Sequence, residues 1–180
     1  PTKRMPREEL IESMGWLNDH FNFILPDDDS EWTIDNVIDK AKQLVLRKGI
    51  KGLVIDPWNE LESTAKRDET ETSYISRELK HIRQFGRKYG VHIWVVAHPA
   101  KLQKDKSGNY PVPTPYDISG SAHWRNKADN CLTVWRDLAN PHQRSVDVYI
   151  QKIRFKQVGS LGVSTFEYIP STGGYKSVAA

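Results

Sequence analysis

Residues 52–60 read Gly-Leu-Val-Ile-Asp-Pro-Trp-Asn-Glu, an apolar run that ends in an acid and is stopped by proline. The run at 53–55 predicts a strand covered on both faces, as in a parallel sheet. An acid at the carboxyl end of such a strand lies where α/β proteins bind their ligands. Asp56 is therefore a candidate magnesium ligand of a nucleoside triphosphatase. A solvated Asp at the end of a buried strand would give the same pattern.

The segment that usually accompanies such an acid is absent from the sequence. A phosphate-binding loop reads G-x-x-x-x-G-K-S/T, and its backbone amides and lysine surround the phosphates. No such segment occurs in the 180 residues, and the chain begins at Pro1 without Met. The sequence therefore predicts either a fragment of a larger protein or an Asp56 that does not hold a magnesium nucleotide.

Composition predicts one soluble globular domain that spans residues 1–180. Hydrophobic residues make up 38% of the chain and charged residues 27%, and this length is sufficient for a core. No apolar run reaches the ~18 residues of a membrane span, and no signal peptide is visible. A lone Cys131 excludes an internal disulfide framework and indicates a reducing, cytoplasmic compartment.

The basic charge is concentrated in one third of the chain. Residues 1–100 carry 15 Lys and Arg against 17 Asp and Glu, whereas residues 101–159 carry 10 against 5. This excess is typical of contact with a polyanion such as nucleic acid or nucleotide phosphate, although an ordinary solvated basic face would share it. The long irregular stretch 101–117 falls within it and is a candidate functional loop.

Hydrophobic periodicity predicts an α/β order of elements. Three patterns predict helices, after Pro6, between Thr33 and Gly49, and over residues 73–88. An apolar stretch that predicts a strand follows each helix, at 21–26, 52–55 and 91–97. We therefore expect a parallel sheet with right-handed crossovers over residues 1–98, with a mobile polar loop at 60–72.

The last third of the chain predicts a different arrangement. Apolar stretches at 131–135, 145–153 and 162–169 are separated by turns. The alternation at Val146, Val148 and Ile150 favours antiparallel strands that extend the parallel sheet.

Two groups of residues are candidates for phosphate chemistry. Asp56 and His98 end neighbouring strands and should face one crevice, where His98 either bonds a phosphate oxygen or merely caps its strand. Lys152 and Arg154 alternate along a strand and should lie on one side of it. Such a pair can clamp phosphates or reach a neighbouring subunit as an arginine finger, and it can also be an exposed basic face.

A third group surrounds residues 119–127. Small residues at 119–121 permit close approach of a phosphate or a nucleic-acid strand. Trp124 either stacks on a base or belongs to the core. The spacing of His and acidic residues shows no zinc pattern, so metal-cluster chemistry is set aside.

These motifs follow one another in a particular order. They are L-V-I-D at 53–56, V-V-A-H-P-A-K at 95–101, D-I-S-G-S-A at 117–122, A-D-N at 128–130 and Q-K-I-R-F at 151–155. This order resembles the RecA-like motor domain of hexameric replicative helicases of the DnaB family, in the branch of the phage primase–helicases and Twinkle. Residues 4–24 and 56–61 are similar to that branch too, so the resemblance covers nearly the whole chain.

The resemblance implies roles for individual residues. Asp56 would hold the water shell of Mg²⁺ as the Walker B acid, and His98 would sense the γ-phosphate of ATP. Arg154 would be the arginine finger, with Lys152 beside it. Two loops would touch single-stranded DNA in a central channel, through Lys101, Lys104, Lys106, Ser119, Gly120, Ser121, Arg125 and Lys127.

The resemblance also implies a RecA-like P-loop NTPase sheet, parallel with antiparallel C-terminal strands and truncated at its N-terminus. In that family the phosphate loop and a catalytic glutamate precede the segment seen here, so we expect the 180 residues alone not to hydrolyse ATP. Asn126 stands where the family often has Gln, which departs from the usual coupling of nucleotide to DNA.

The implied parent is an ATP-dependent DNA helicase that moves 5′-to-3′ on single-stranded DNA as a hexameric ring. It would be an intracellular bacterial or phage protein, and a primase domain could accompany it. Two alternatives remain open at this point: a RecA-like module that binds DNA without hydrolysis, and a recombinase or repair ATPase of the same fold.

Overall fold

A computed structural model describes residues 4–25, 32–106, 108–119, 122–137 and 144–178. Its helices are α1 Arg7–His20, α2 Ile34–Lys48, α3 Glu71–Tyr89 and α4 Ala122–Lys127, with 3₁₀ turns at Trp58–Glu60 and Lys156–Val158. Its strands are β1 Gly52–Ile55, β2 His92–Val95, β3 Asn130–Trp135, β4 Ser145–Ile153, β5 Gly162–Ile169 and β6 Gly174–Ser177. No helix of these residues is long and apolar enough to cross a membrane.

Local sequence determines the limits of the two central helices. The hydroxyl of Thr33 accepts a hydrogen bond from Asn36 N at the start of α2, and Thr70 does the same from Ser73 N at the start of α3. Gly49 and Gly90 end these helices in the left-handed conformation, with φ of 69° and 64°. Only glycine adopts that conformation without steric cost, so both helices stop where the sequence predicts.

The core lies between these helices and strand β1. Helix α2 contributes Ile34, Val37, Ile38 and Ala41, and α3 contributes Tyr74, Ile75, Leu79, Ile82 and Phe85. Leu53 and Ile55 of β1 pack against them. Strands β1 and β2 pair in parallel from Gly52↔His92 to Ile55↔Val95. The predicted parallel pairing is thus confirmed.

The parallel sheet differs from its prediction in two respects. Residues 21–25 form no strand, because no strand among the described residues pairs with them, and Phe23 is 80% exposed. The sheet is also covered on one face only. Leu53 and Ile55 are buried, but Val54 of the same strand is 62% exposed and Trp94 of β2 is 51% exposed.

The C-terminal strands form a separate sheet within the described residues. Its order is β3-β4-β5-β6, and every pairing in it is antiparallel. The predicted antiparallel strands are confirmed, but the expectation that they extend the parallel sheet is wrong. Strand β6 was not predicted, because its Gly174–Ser177 stretch has little apolar character.

The segment at 60–72 is held more firmly than its polar composition predicts. The guanidinium of Arg77 donates to both carboxylate oxygens of Glu69, at 3.1 and 3.0 Å, and to the Thr64 carbonyl at 3.2 Å. Glu62 N donates to the Trp32 carbonyl at 2.9 Å. These bonds fasten the segment to α3 and to the residues before α2.

Candidate functional site

Asp56 and His98 follow the carboxyl ends of paired strands, as the sequence predicts. The pairing continues beyond the strands, with Val96 N donating to Ile55 O at 2.9 Å and Trp58 N donating to Val96 O at 2.7 Å. Both Asp56 and His98 are exposed. The structure therefore brings these two side chains to one edge of the parallel sheet.

Asn59 is a residue of this edge that the sequence reasoning missed. Its side-chain oxygen accepts a hydrogen bond of 2.8 Å from the backbone N–H of His98. The short 3₁₀ turn after Pro57 carries Asn59 across to the end of β2. The signal that could have identified it is an amide side chain in the turn after the acid, because such side chains bond nearby backbone groups.

The surroundings of Asp56 fit a hydrated magnesium ion. Within the described residues, its carboxylate has no hydrogen-bond or ion-pair partner. Carboxylate oxygens are the ligands Mg²⁺ prefers, and the ion usually keeps several of its waters. Asp56 could thus bind the ion directly or through water, while the exposed ring of His98 could bond a phosphate oxygen of a nucleotide.

Lys152 contacts the end of helix α4. Its ammonium donates to the Ala128 carbonyl at 2.7 Å, to the Asn126 carbonyl at 3.5 Å and also to the Arg125 carbonyl. The last carbonyls of a helix have no partners inside the helix, and a lysine can satisfy them. In this structure Lys152 is a cap of α4 and does not point its charge at an open phosphate site.

Arg154 lies immediately after β4 and contacts Asp129. Its guanidinium pairs with the Asp129 carboxylate, and its backbone N–H donates to the Asp129 carbonyl at 2.9 Å. Arg83 of α3 pairs with the same carboxylate at 3.0 Å. Lys152 and Arg154 therefore have different partners, and the structure does not bring them together as a phosphate clamp.

The basic loop at 101–117 is closed at its base and fastened to the antiparallel sheet. Ala100 N donates to the Asp117 carbonyl at 2.7 Å. The Pro113 carbonyl accepts from Thr133 Oγ1 at 3.1 Å and from Gln151 Nε2 at 2.8 Å, which fastens the loop to strands β3 and β4. The loop is thus anchored at both its base and its far side.

The cationic side chains of this loop remain on its surface. Lys101, Lys104 and Lys106 are exposed. The Lys104 ammonium lies 5.1 Å from the centroid of the Tyr110 ring, a cation–π contact that holds it near the loop. These three lysines form a compact basic segment that can approach a phosphate backbone.

Trp124 belongs to the core, which decides between its two predicted roles. It is 7% exposed, its ring meets Trp58 edge-on at 5.0 Å, and its indole N–H donates to the Ser119 carbonyl at 2.9 Å. The base-stacking alternative is wrong in this structure because the side chain is buried and packs against Trp58. The Ser119 hydroxyl in turn donates to Glu71 at 2.8 Å.

The other candidate DNA-binding residues near α4 differ in their contacts and in their burial. The Arg125 guanidinium lies 5.4 Å from the centroid of the Tyr116 ring, and Lys127 is half-buried. Gly120 and Ser121 lie outside the described residues. Of these residues, Arg125 therefore lies beside the end of the loop 101–117.

A second cluster of possible metal ligands lies elsewhere, between α2 and α3. Asp35, Glu78 and His81 each offer a ligand atom within 4.8 Å of the others. Asp35 pairs with His81 at 3.1 Å, and the buried Glu78 pairs with Arg77. Burial raises the pKa of Glu78, while the Arg77 charge opposes that rise. The cluster is thus accounted for by one ion pair between α2 and α3 and one within α3.

Comparisons with known proteins agree with the resemblance. No family model matches the chain. The chain is 43% identical over 176 residues to the Twinkle homolog protein, chloroplastic/mitochondrial, of Arabidopsis thaliana. That match covers 96% of this chain and 24% of the relative. The chain thus spans about a quarter of the length of the curated relative it matches.

A solved structure shares the fold. The structure described as a DnaB-like replicative helicase and its interactions with primase superposes with a TM-score of 0.70 at 19% identity. The match covers 93% of this chain and 41% of that one. The sequence identity thus confirms the predicted resemblance to the Twinkle branch, and the shared architecture confirms that the chain has the fold of DnaB-like replicative helicases.

Proposed function

We propose that this chain forms part of an ATP-dependent replicative DNA helicase that moves along single-stranded DNA as a hexameric ring. The observation that carries the proposal is the 43% identity to the Twinkle homolog across nearly the whole chain. The exposed Asp56 and His98 at adjoining strand ends support it, since α/β motors bind nucleotides at this edge of the sheet. The alternatives of a non-hydrolysing module or a repair ATPase have no comparable support.

In this proposal the nucleotide site uses residues of two subunits. Asp56 holds the water shell of the Mg²⁺ that accompanies ATP, and His98 contacts the γ-phosphate. Arg154 of the adjoining subunit stabilises the charge that develops in the transition state. Asn59 orients the backbone that carries His98.

We propose that Lys152 serves this site without contacting phosphate itself. Its bonds to the carbonyls at the end of α4 hold that helix against the strand that leads to Arg154. The DNA-facing region and the finger would then move together.

The proposed DNA contacts lie on the loop 101–117 and the region 119–127. Lysines 101, 104 and 106 would neutralise phosphates, and released counterions would make binding weaken as salt increases. Arg125 and Lys127 would add to this surface. Ser119, Gly120 and Ser121 remain part of the proposal as close backbone contacts.

The same proposal specifies the partners of the chain and its cellular location. A ring of six subunits supplies the finger in trans, and a primase domain is a possible companion in the longer protein. An intracellular location follows from a replicating DNA substrate.

The test uses the full-length protein and measures DNA-stimulated ATP hydrolysis together with unwinding of a forked duplex. Asp56→Asn should abolish both activities, because the magnesium ion loses its carboxylate. Asp39→Asn, an exposed acid of α2, is the matched control and should retain them. Unwinding that persists in Asp56→Asn at wild-type rates would refute the proposed nucleotide site.

A second test changes lysines 101, 104 and 106 together to alanine and titrates labelled single-stranded DNA at two salt concentrations. The triple variant should bind more weakly and with a smaller dependence on salt. Equal binding by variant and wild type would show that the loop is not the DNA surface.

A further inference from the structure

The carboxylate of Asp129 joins three elements of the fold through two arginines. Arg83 of α3 lies 3.0 Å from Oδ1 through its Nη2, and the Arg154 guanidinium pairs with the same oxygen. The Arg154 backbone N–H also donates to the Asp129 carbonyl at 2.9 Å. One residue thus holds both the main chain and the side chain of Arg154.

Arg154 needs such support because of its place in the chain. Strand β4 ends at Ile153, so the sheet no longer holds the backbone at 154. An arginine side chain has substantial rotamer entropy to lose when it is fixed. The side chain of Arg154 is 32% exposed, so neighbouring atoms restrain only part of it. The pairing with Asp129 supplies the remaining restraint.

Arg83 connects the ion pair of Asp129 and Arg154 to the packed core. It projects from the middle of α3, next to Ile82 and close to Phe85, and both of those residues are buried in the core. Its Nε is buried without a hydrogen-bond partner among the described residues, so the ion pair with Asp129 is the contact that holds its guanidinium. Asp129, which is 48% exposed, is thereby tied to the most firmly packed helix.

The charge balance leaves Arg154 able to act on a phosphate. Two guanidinium cations share one carboxylate anion, so the group keeps a net positive charge. A guanidinium has five N–H donors in a planar fork, and Asp129 engages Arg154 through one of its nitrogens. The other donors of the fork can bond an anion on the open side.

We infer that Asp129, held by Arg83, positions Arg154 for its action on the nucleotide of the adjoining subunit. This inference rests on the proposed function. Asp129 and Arg83 are positioning residues, since they act through Arg154 and do not touch the nucleotide. The opposite arrangement, in which Asp129 competes with phosphate and restrains the finger, predicts the opposite change in rate.

The test measures kcat and KM for ATP in the full-length protein with saturating single-stranded DNA. Asp129→Asn and Arg83→Gln should each lower kcat by about 10- to 100-fold, since a displacement of ~1 Å can cost 10²-fold. KM should change little, because a finger acts mainly in the transition state. Asp39→Asn and Arg87→Gln, exposed residues of α2 and α3, are matched controls and should retain wild-type kcat.

The decisive measurement is the kcat of a double variant that combines Asp129→Asn with Arg154→Ala. If Asp129 acts only through Arg154, the double variant Asp129→Asn with Arg154→Ala should be no slower than Arg154→Ala alone. Arg83→Lys keeps a positive charge beside the Asp129 carboxylate, so it should recover part of the rate lost in Arg83→Gln. Ring assembly is checked first by size-exclusion chromatography, and Arg83→Gln carries the test if Asp129→Asn does not assemble.

Each contrary result has a distinct meaning. A higher kcat in Asp129→Asn would overturn positioning in favour of a restraining contact. A double variant much slower than Arg154→Ala would show that Asp129 acts by another route. Full activity in Arg154→Ala would refute the finger itself, and the inference with it. Loss in Arg154→Ala with no loss in the other two variants would refute the inference alone.

Discussion

Replacement of Trp124 separates a core residue from a DNA-stacking residue. The side chain is 7% exposed, meets Trp58 edge-on and donates to the Ser119 carbonyl. Removing a buried Trp side chain costs about 3–5 kcal/mol, so Trp124→Ala should lower the free energy of unfolding by about that amount. Trp124→Phe keeps an aromatic ring against Trp58 and loses the indole N–H, which should cost about 0.5–1.5 kcal/mol, the usual net contribution of one hydrogen bond.

Urea unfolding of the 180-residue chain measures these losses from the shift in the transition midpoint. Trp94→Ala is the control, because Trp94 is 51% exposed and should cost well under half as much. DNA binding gives the second readout. Trp124→Phe should bind single-stranded DNA as tightly as wild type. Unchanged stability in Trp124→Ala together with weaker DNA binding would refute the core assignment.

Three further predictions concern contacts and pH. Lys152→Met should cost about 1–3 kcal/mol, the usual range for charge-assisted hydrogen bonds, and should increase amide exchange in α4 in hydrogen-exchange measurements, whereas Lys156→Met at an exposed site should not. Burial raises the pKa of Glu78, so its ionisation penalises the folded state as pH rises; Glu78→Gln should therefore gain stability relative to wild type between about pH 4 and pH 7 in thermal unfolding. The hydrogen bond from Arg77 lowers the pKa of Glu69, so Glu69 stabilises the fold at neutral pH and loses that effect only as pH falls below its ordinary value of 4.5. Glu69→Gln should therefore be destabilising near pH 7, and the loss should shrink as pH falls below 4.5.

Features that depend on neighbouring residues were predictable from the sequence. Thr33 and Gly49 mark the two ends of α2, because an N-cap hydroxyl and a left-handed glycine act within one helical turn. The position of Asp56 was also predictable, because an apolar run indicates a strand and the acid and proline that follow it indicate where the strand ends. The adjacency of Asp56 and His98 then followed from parallel pairing.

Features that depend on distant residues were not predictable. Arg83 and Asp129 are 46 positions apart, and Lys152 bonds carbonyls 24 to 27 positions before it. No spacing in the sequence identifies such pairs. The sequence therefore predicts that Lys152 and Arg154 share one basic strand face, whereas the structure gives them separate partners. The strand predicted at 21–26 failed for a related reason, because a strand forms only where a neighbouring strand completes its hydrogen bonds.

The most direct test of a ring motor with shared nucleotide sites mixes two full-length variants that are each strongly impaired. Arg154→Ala lacks the finger but keeps its own nucleotide-binding residues. A variant with a disabled phosphate loop keeps Arg154. In rings that have exchanged subunits, an interface that joins the nucleotide site of the first with the finger of the second is complete. DNA-stimulated ATP hydrolysis should therefore rise on mixing, well above the small residual rate of either variant alone. Mixtures that exchange subunits and remain inactive at every ratio would contradict the account.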